Sequence, residues 1–101
     1  MAKKKAYTVK SKVWLYPGMA GWHFVNVDKK QSAELKEKYG RGSRGFGSIP
    51  ITVTLGKSVW ETSIFPDKQS GTYLLPLKAK VRKDEGIYAD DPVTFSFIVR
   101  L

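Results

Sequence analysis

The chain has 101 residues, 42% of them hydrophobic and 13% aromatic, with 18 Lys and Arg against 9 Asp and Glu, one histidine and no cysteine. That is enough for one packed domain. It excludes a disordered chain, a disulfide scaffold, thiolate chemistry and, for want of any apolar run near the ~20 residues of a spanning helix, a transmembrane helix. The charge is lopsided: residues 1–57 hold 12 basic and 3 acidic side chains and residues 58–101 hold 6 of each, so the formal +9 lies in the first half, where it suits either a polyanionic partner or simple solubility.

Residues 1–6, with Lys3-Lys4-Lys5, read as a flexible basic tail, and the absence of an apolar signal core behind it gives the expectation of a cytoplasmic protein. Residues 7–101 read as a single domain. Over 7–16, Tyr7, Val9, Ser11, Val13 and Leu15 alternate with Thr8, Lys10, Lys12, Trp14 and Tyr16, the two-residue period of a strand with one wet face, closed by Pro17-Gly18. Residues 22–27 are aromatic and β-branched without helical spacing and predict a second strand. Asp28 then offers a carboxylate to the next backbone N–H groups, with Gln31 as reciprocal partner. A short helix over 29–39 follows, with Ala33, Leu35 and Tyr39 as its apolar stripe and Gly40 as its stop.

Residues 40–47 carry four glycines and predict a loop. In the next strand Ile49, Ile51, Val53 and Leu55 share one face, and Gly56-Lys57 suits a two-residue hairpin turn leading into a returning strand over 58–65. After the turn 66–71, a strand is expected at 72–76, a second short helix over 77–85 ended by Gly86, and a last strand over 92–101 with Val93, Phe95, Phe97, Val99 and Leu101 inward. Six strands, two short helices and no βαβ rhythm predict a mainly all-β fold, a small, mostly antiparallel barrel.

Motifs that look chemical have ordinary explanations. Gly40-x-Gly42-x-x-Gly45 copies a dinucleotide fingerprint but follows a helix and precedes a strand, the reverse of what that motif needs. His23, without cysteines or nearby carboxylates, reads as a hydrogen-bonded histidine near the core and not as a metal ligand. Ser63, His23 and Asp67 could make a hydrolase triad only if the fold brought them together. Two foci remain. Arg41, Arg44 and Phe46 on the glycine-rich loop offer guanidinium forks and one stacking ring, a possible nucleic-acid contact. The turn at Asp67-Lys68 and the pair Lys78/Arg82, four apart on one helix face, form a possible anion site, with solvated charge as the plain reading of both foci.

The blocks Trp22-His23-Phe24-Val25, Gly45-Phe46-Gly47-Ser48-Ile49-Pro50-Ile51, Trp60 to Lys68, Ser70 to Pro76 and Val81-Arg82-Lys83 with Gly86 resemble the bacterial family DUF1905 from about residue 7 onward. The resemblance implies a double-split-type β-barrel without an established activity, and it places family blocks on Trp22, Trp60, Asp67, Lys68, Gly71, Lys78 and Arg82. The expected function is therefore a non-enzymatic binding or interaction domain for a small anionic ligand or acidic partner. Its candidate residues are Trp22, His23, Trp60, Asp67, Lys68, Lys78 and Arg82, with no cofactor or metal. Nucleic-acid binding through Arg41, Arg44 and Phe46 is the alternative, a hydrolase the second one, and the oligomeric state is open.

Overall fold

The computed structural model describes residues 5–18, 21–40 and 47–101. Seven strands and two helices follow in the order β1 (Ala6–Lys12), β2 (Trp14–Leu15), β3 (His23–Asn26), α1 (Lys29–Tyr39), β4 (Ile49–Leu55), β5 (Ser58–Asp67), β6 (Thr72–Pro76), α2 (Ala79–Glu85) and β7 (Pro92–Val99). The strands form one antiparallel sheet in the order β1-β7-β4-β5-β6-β3-β2, nearly closed as a barrel. Lys5 and Ala6, read from the sequence as tail, belong to this structure: Ala6 begins β1 and Lys5 pairs with Glu34 at 2.7 Å.

The seventh strand arises because the alternating run 7–16 changes partners at Val13. Before Val13 the chain pairs with β7, Val9 opposite Phe95; after it, Trp14 pairs with Phe24 of β3. Val13 itself is fully buried, and its backbone bonds the turn before β7, its N–H donating to Asp91 O at 2.9 Å and its carbonyl accepting from Asp90 N at 2.7 Å. One segment thus stands at both ends of the sheet order and acts as its seam. Across the remaining gap the Asn26 N–H donates to Ser11 Oγ at 3.2 Å.

Period-two burial supplies the core. Ile49, Ile51, Val53 and Leu55 face Val93, Phe95, Phe97 and Val99 inside the barrel, and Tyr7 stacks on Phe97 at 5.2 Å between ring centroids. Two residues expected inward are not: Leu15 is 52% and Leu101 47% exposed. Leu15 ends a two-residue strand at the sheet margin and Leu101 lies beyond the end of β7, so neither has a facing layer.

Helix α1 begins as expected, with Asp28 Oδ2 accepting the Gln31 N–H at 3.0 Å. Gln31 does not return to the cap backbone; its amide donates to Asp28 Oδ1 at 2.6 Å and to Thr8 O at 3.0 Å. The buried face is Ser32 and Leu35, with Tyr39 packed against the core, while Ala33 is exposed. The helix is turned that way by Ser32, whose Oγ donates to Val27 O and accepts the Tyr73 N–H, each at 3.0 Å. Helix α2 starts two residues later than the spacing predicts, because Leu77 is still extended and gives its N–H to His23 O at 2.9 Å. Its end matches the expectation: Gly86 adopts φ 65°, and Ile87 N bonds back to Arg82 O at 2.8 Å.

Candidate functional site

A groove opens where α2 meets the end of the β3–β6 ladder. The register Phe24 opposite Pro76, together with the Leu77–His23 backbone bond, puts the start of α2 beside the residues leading into β3. Lys78 immediately precedes α2 and Arg82 sits one turn on, so both reach the same side. The groove measures about 630 Å³ and is walled by Trp22 and Phe65, with His23, Lys78 and Arg82 supplying polar atoms and Thr62 on the β5 side.

The Trp22 side of the aromatic wall is backed. Trp22 and Phe65 are 50% and 44% exposed, large values for such rings. Behind Trp22 lies Phe24 at 5.8 Å between centroids, itself braced by Trp14 at 5.5 Å and Tyr16 at 5.7 Å. The cationic side is oriented as well. Arg82 donates from Nε to Leu77 O at 3.2 Å and from one terminal nitrogen to Gly21 O at 3.3 Å, and the His23 Nδ1–H donates to the same Gly21 carbonyl at 2.8 Å. Two of the five guanidinium N–H groups are thus engaged with backbone among the described residues. Among the described residues neither Lys78 nor Arg82 has an acidic partner.

Trp22, His23, Lys78 and Arg82 are therefore brought together, and the other expected residues are not among them. Asp67 and Lys68 line a different hollow of about 600 Å³, which includes Lys36 and Tyr73. There Asp67 has a structural task. Its Oδ2 accepts from Ser70 Oγ at 2.7 Å and from Ser70 N at 3.3 Å, three residues on, and Gly71 turns the chain at φ 70°. The network continues from Ser70 to Thr72 at 2.7 Å, from Asn26 Nδ2 to Thr72 at 2.8 Å and from Trp14 Nε1 to Asn26 Oδ1 at 2.6 Å. Trp60 lines neither hollow; it packs against the core with its indole N–H buried and, among the described residues, unpartnered.

Ser63, His23 and Asp67 make no hydrogen bonds with one another: the His23 Nδ1 is on Gly21 and the Asp67 carboxylate on Ser70. Among the described residues no three His, Asp or Glu side chains cluster as metal ligands, and no helix is long and apolar enough to cross a membrane. Arg41, Arg44 and Phe46 lie outside the described residues. Not among the site residues expected from the sequence are Thr62 and the larger wall residue, Phe65. Its signal was an aromatic directly before the Pro66 turn, on a strand whose neighbour Ile64 already fills the core.

The strongest acid–base perturbation lies away from the groove. Hydrogen bonds from Lys5 and then Tyr7 hold the Glu34 carboxyl down at about 2, and burial followed by the Glu34 contact pushes the Tyr7 hydroxyl well above its usual range. This cluster fastens β1 to α1.

The sequence model of the domain of unknown function DUF1905 matches residues 10–97. The chain belongs to the DUF1905 family. The match includes every groove residue from Trp22 to Arg82, so the site lies within the DUF1905 domain itself. No curated protein matches the chain.

Proposed function

We propose that this DUF1905 domain is a binding module whose groove holds an anionic ligand with a flat apolar body. The observation that carries the reading is the convergence, in one groove, of an aromatic wall backed at Trp22 with an oriented guanidinium that has no acidic partner among the described residues. A pre-positioned arginine loses little conformational freedom on binding, and a charge-assisted hydrogen bond adds about 1.5–3 kcal/mol. The aromatic surfaces supply the apolar contact and orientation. A cytoplasmic setting is part of the proposal and rests on the cysteine-free composition.

A matched pair of probes tests it. Tryptophan fluorescence and calorimetry with 1-naphthyl phosphate and 1-naphthol compare ligands that share the rings and differ in charge. The phosphate should bind and the alcohol should not. Arg82→Gln should weaken the phosphate by roughly tenfold or more, and Lys78→Gln, at an exposed position, by less. Equal binding of the two probes, or phosphate binding indifferent to both substitutions, would refute the proposal.

A further inference from the structure

The Arg82 side chain lines a second hollow. This smaller space, about 280 Å³, shares His23, Ala79 and Arg82 with the first groove and continues past Lys83 and Ile87 to Tyr88. Tyr88 is 74% exposed, yet its backbone is held. The preceding Ile87 is buried and bonds Arg82 O, and the Tyr88 N–H donates to Asp91 Oδ2 at 2.8 Å. A large ring is thus presented to solvent from a fixed backbone. Lys83, like Lys78 and Arg82, has no acidic partner among the described residues; the neighbouring acids are engaged, Asp84 with Lys80 at 2.7 Å and Glu85 with Ser58 Oγ at 2.7 Å.

From this order of ring, cation and ring, we infer that the two hollows form one site for a ligand in which two planar rings are joined through a phosphate, a dinucleotide unit. One base would stack within the Trp22–Phe65 wall, the bridging phosphate would meet Arg82 with Lys78 and Lys83 near it, and the second base would stack on Tyr88. Ring stacking tolerates different bases, and the cations supply the salt-dependent part of the affinity. An acidic peptide fits less well, because its carboxylates are spread along the chain while the aromatic surfaces here flank the cations. The inference rests on the anion-binding reading of the Arg82 groove and adds the second lobe. The shared chemistry occurs in a single-stranded nucleic acid and in a free pyrophosphate-linked dinucleotide.

Titration of the full chain with thymidine 5′-phosphate, the dinucleotide TpT, a thymidine decamer, diadenosine pyrophosphate and a Tyr/Glu-rich peptide tests it. TpT or diadenosine pyrophosphate should bind roughly five- to a hundredfold more tightly than the mononucleotide. Tyr88→Ala should remove the dinucleotide's advantage over the mononucleotide, and Tyr88→Phe should keep it. Preference for the decamer and TpT identifies a strand as the source, and preference for diadenosine pyrophosphate a free dinucleotide. Equal mono- and dinucleotide affinity, indifference to Tyr88→Ala, or binding of the peptide alone overturns the inference. If nucleotides fail while naphthyl phosphate still binds in an Arg82-dependent way, the second lobe is wrong and the anion groove stands; if neither binds, both readings fall.

Discussion

Lys78 stands at the start of α2 without capping it. It precedes α2 at φ −64° and ψ 152°, the extended geometry of an N-cap, and its side chain makes no capping bond. Serine there would place a hydroxyl where the N–H groups of Lys80 or Val81 can donate to it, a contribution of about 1 kcal/mol. It would also remove a cation from the positive end of the helix, adding a few tenths of a kcal/mol. In a helix of seven residues with Val81 as its buried anchor, such a cap is a sizeable share of the local stabilisation. A gain of about 1 kcal/mol raises the Tm of a domain this size by roughly 4–8 °C. Lys78→Ser should therefore melt higher by calorimetry and slow amide exchange at Lys80 and Val81. It should also bind 1-naphthyl phosphate roughly two- to fivefold more weakly, as suits one exposed, screened charge. A melting temperature unchanged or lowered would refute the capping argument, and undiminished affinity would remove Lys78 from the site.

Three further outcomes follow from contacts described above or from the same turns. Ser32→Ala leaves the buried Tyr73 N–H without an acceptor, at a cost of about 1–3 kcal/mol; hydrogen exchange at Tyr73 should accelerate, and unchanged protection would contradict the assigned bond. Gly56→Ala forces an L-residue into φ 61°, costing about 1–2 kcal/mol, and also drives a Cβ into the Glu85 carboxylate that holds Ser58. Denaturant unfolding in a Glu85→Ala background should recover the contact share and not the backbone share, and full recovery would argue against the strained turn. Because Glu34 in the folded chain sits at about 2, below its ordinary 4.5, its stabilising effect is complete above the ordinary value and disappears as pH falls toward 2. Thermal melts of Glu34→Gln should show a shallower acid decline between pH 5 and 2 than the parent, and identical slopes would exclude Glu34 as the source.

The barrel was legible where side chains alternate over a whole strand, as from Ile49 to Leu55 and from Val93 to Val99, because one buried face leaves only one register. The switch at Val13 was not. Burial of Val13 fits an unbroken alternating strand as well as it fits a crossover, and only its bonds to the 90–91 turn distinguish the two. The face of α1 was misplaced by one residue because Ala33 is the more apolar choice by composition, while Ser32 gains two hydrogen bonds by being inside. For the site, helical spacing alone placed Lys78 beside Arg82. Trp22 joins them only through the pairing of β3 with β6, a contact between segments some 50 positions apart that no local pattern carries. Asp67 separates from them because β5 runs on past Phe65 and commits the carboxylate to its own turn.

The change of partners at Val13 also sets an order of events during synthesis. Of these seven strands β1 is made before the others and β7 after them, yet the two are ladder partners, with Tyr7 opposite Phe97. Until residue 99 has emerged, Tyr7 and Val9 have no aromatic floor beneath them, and β4 has β5 on one flank and nothing on the other. Ring closure is thus a late, non-local step. A nascent chain stalled before residue 92 exposes two unpaired strand edges, the form in which it is most open to mispairing with a neighbour.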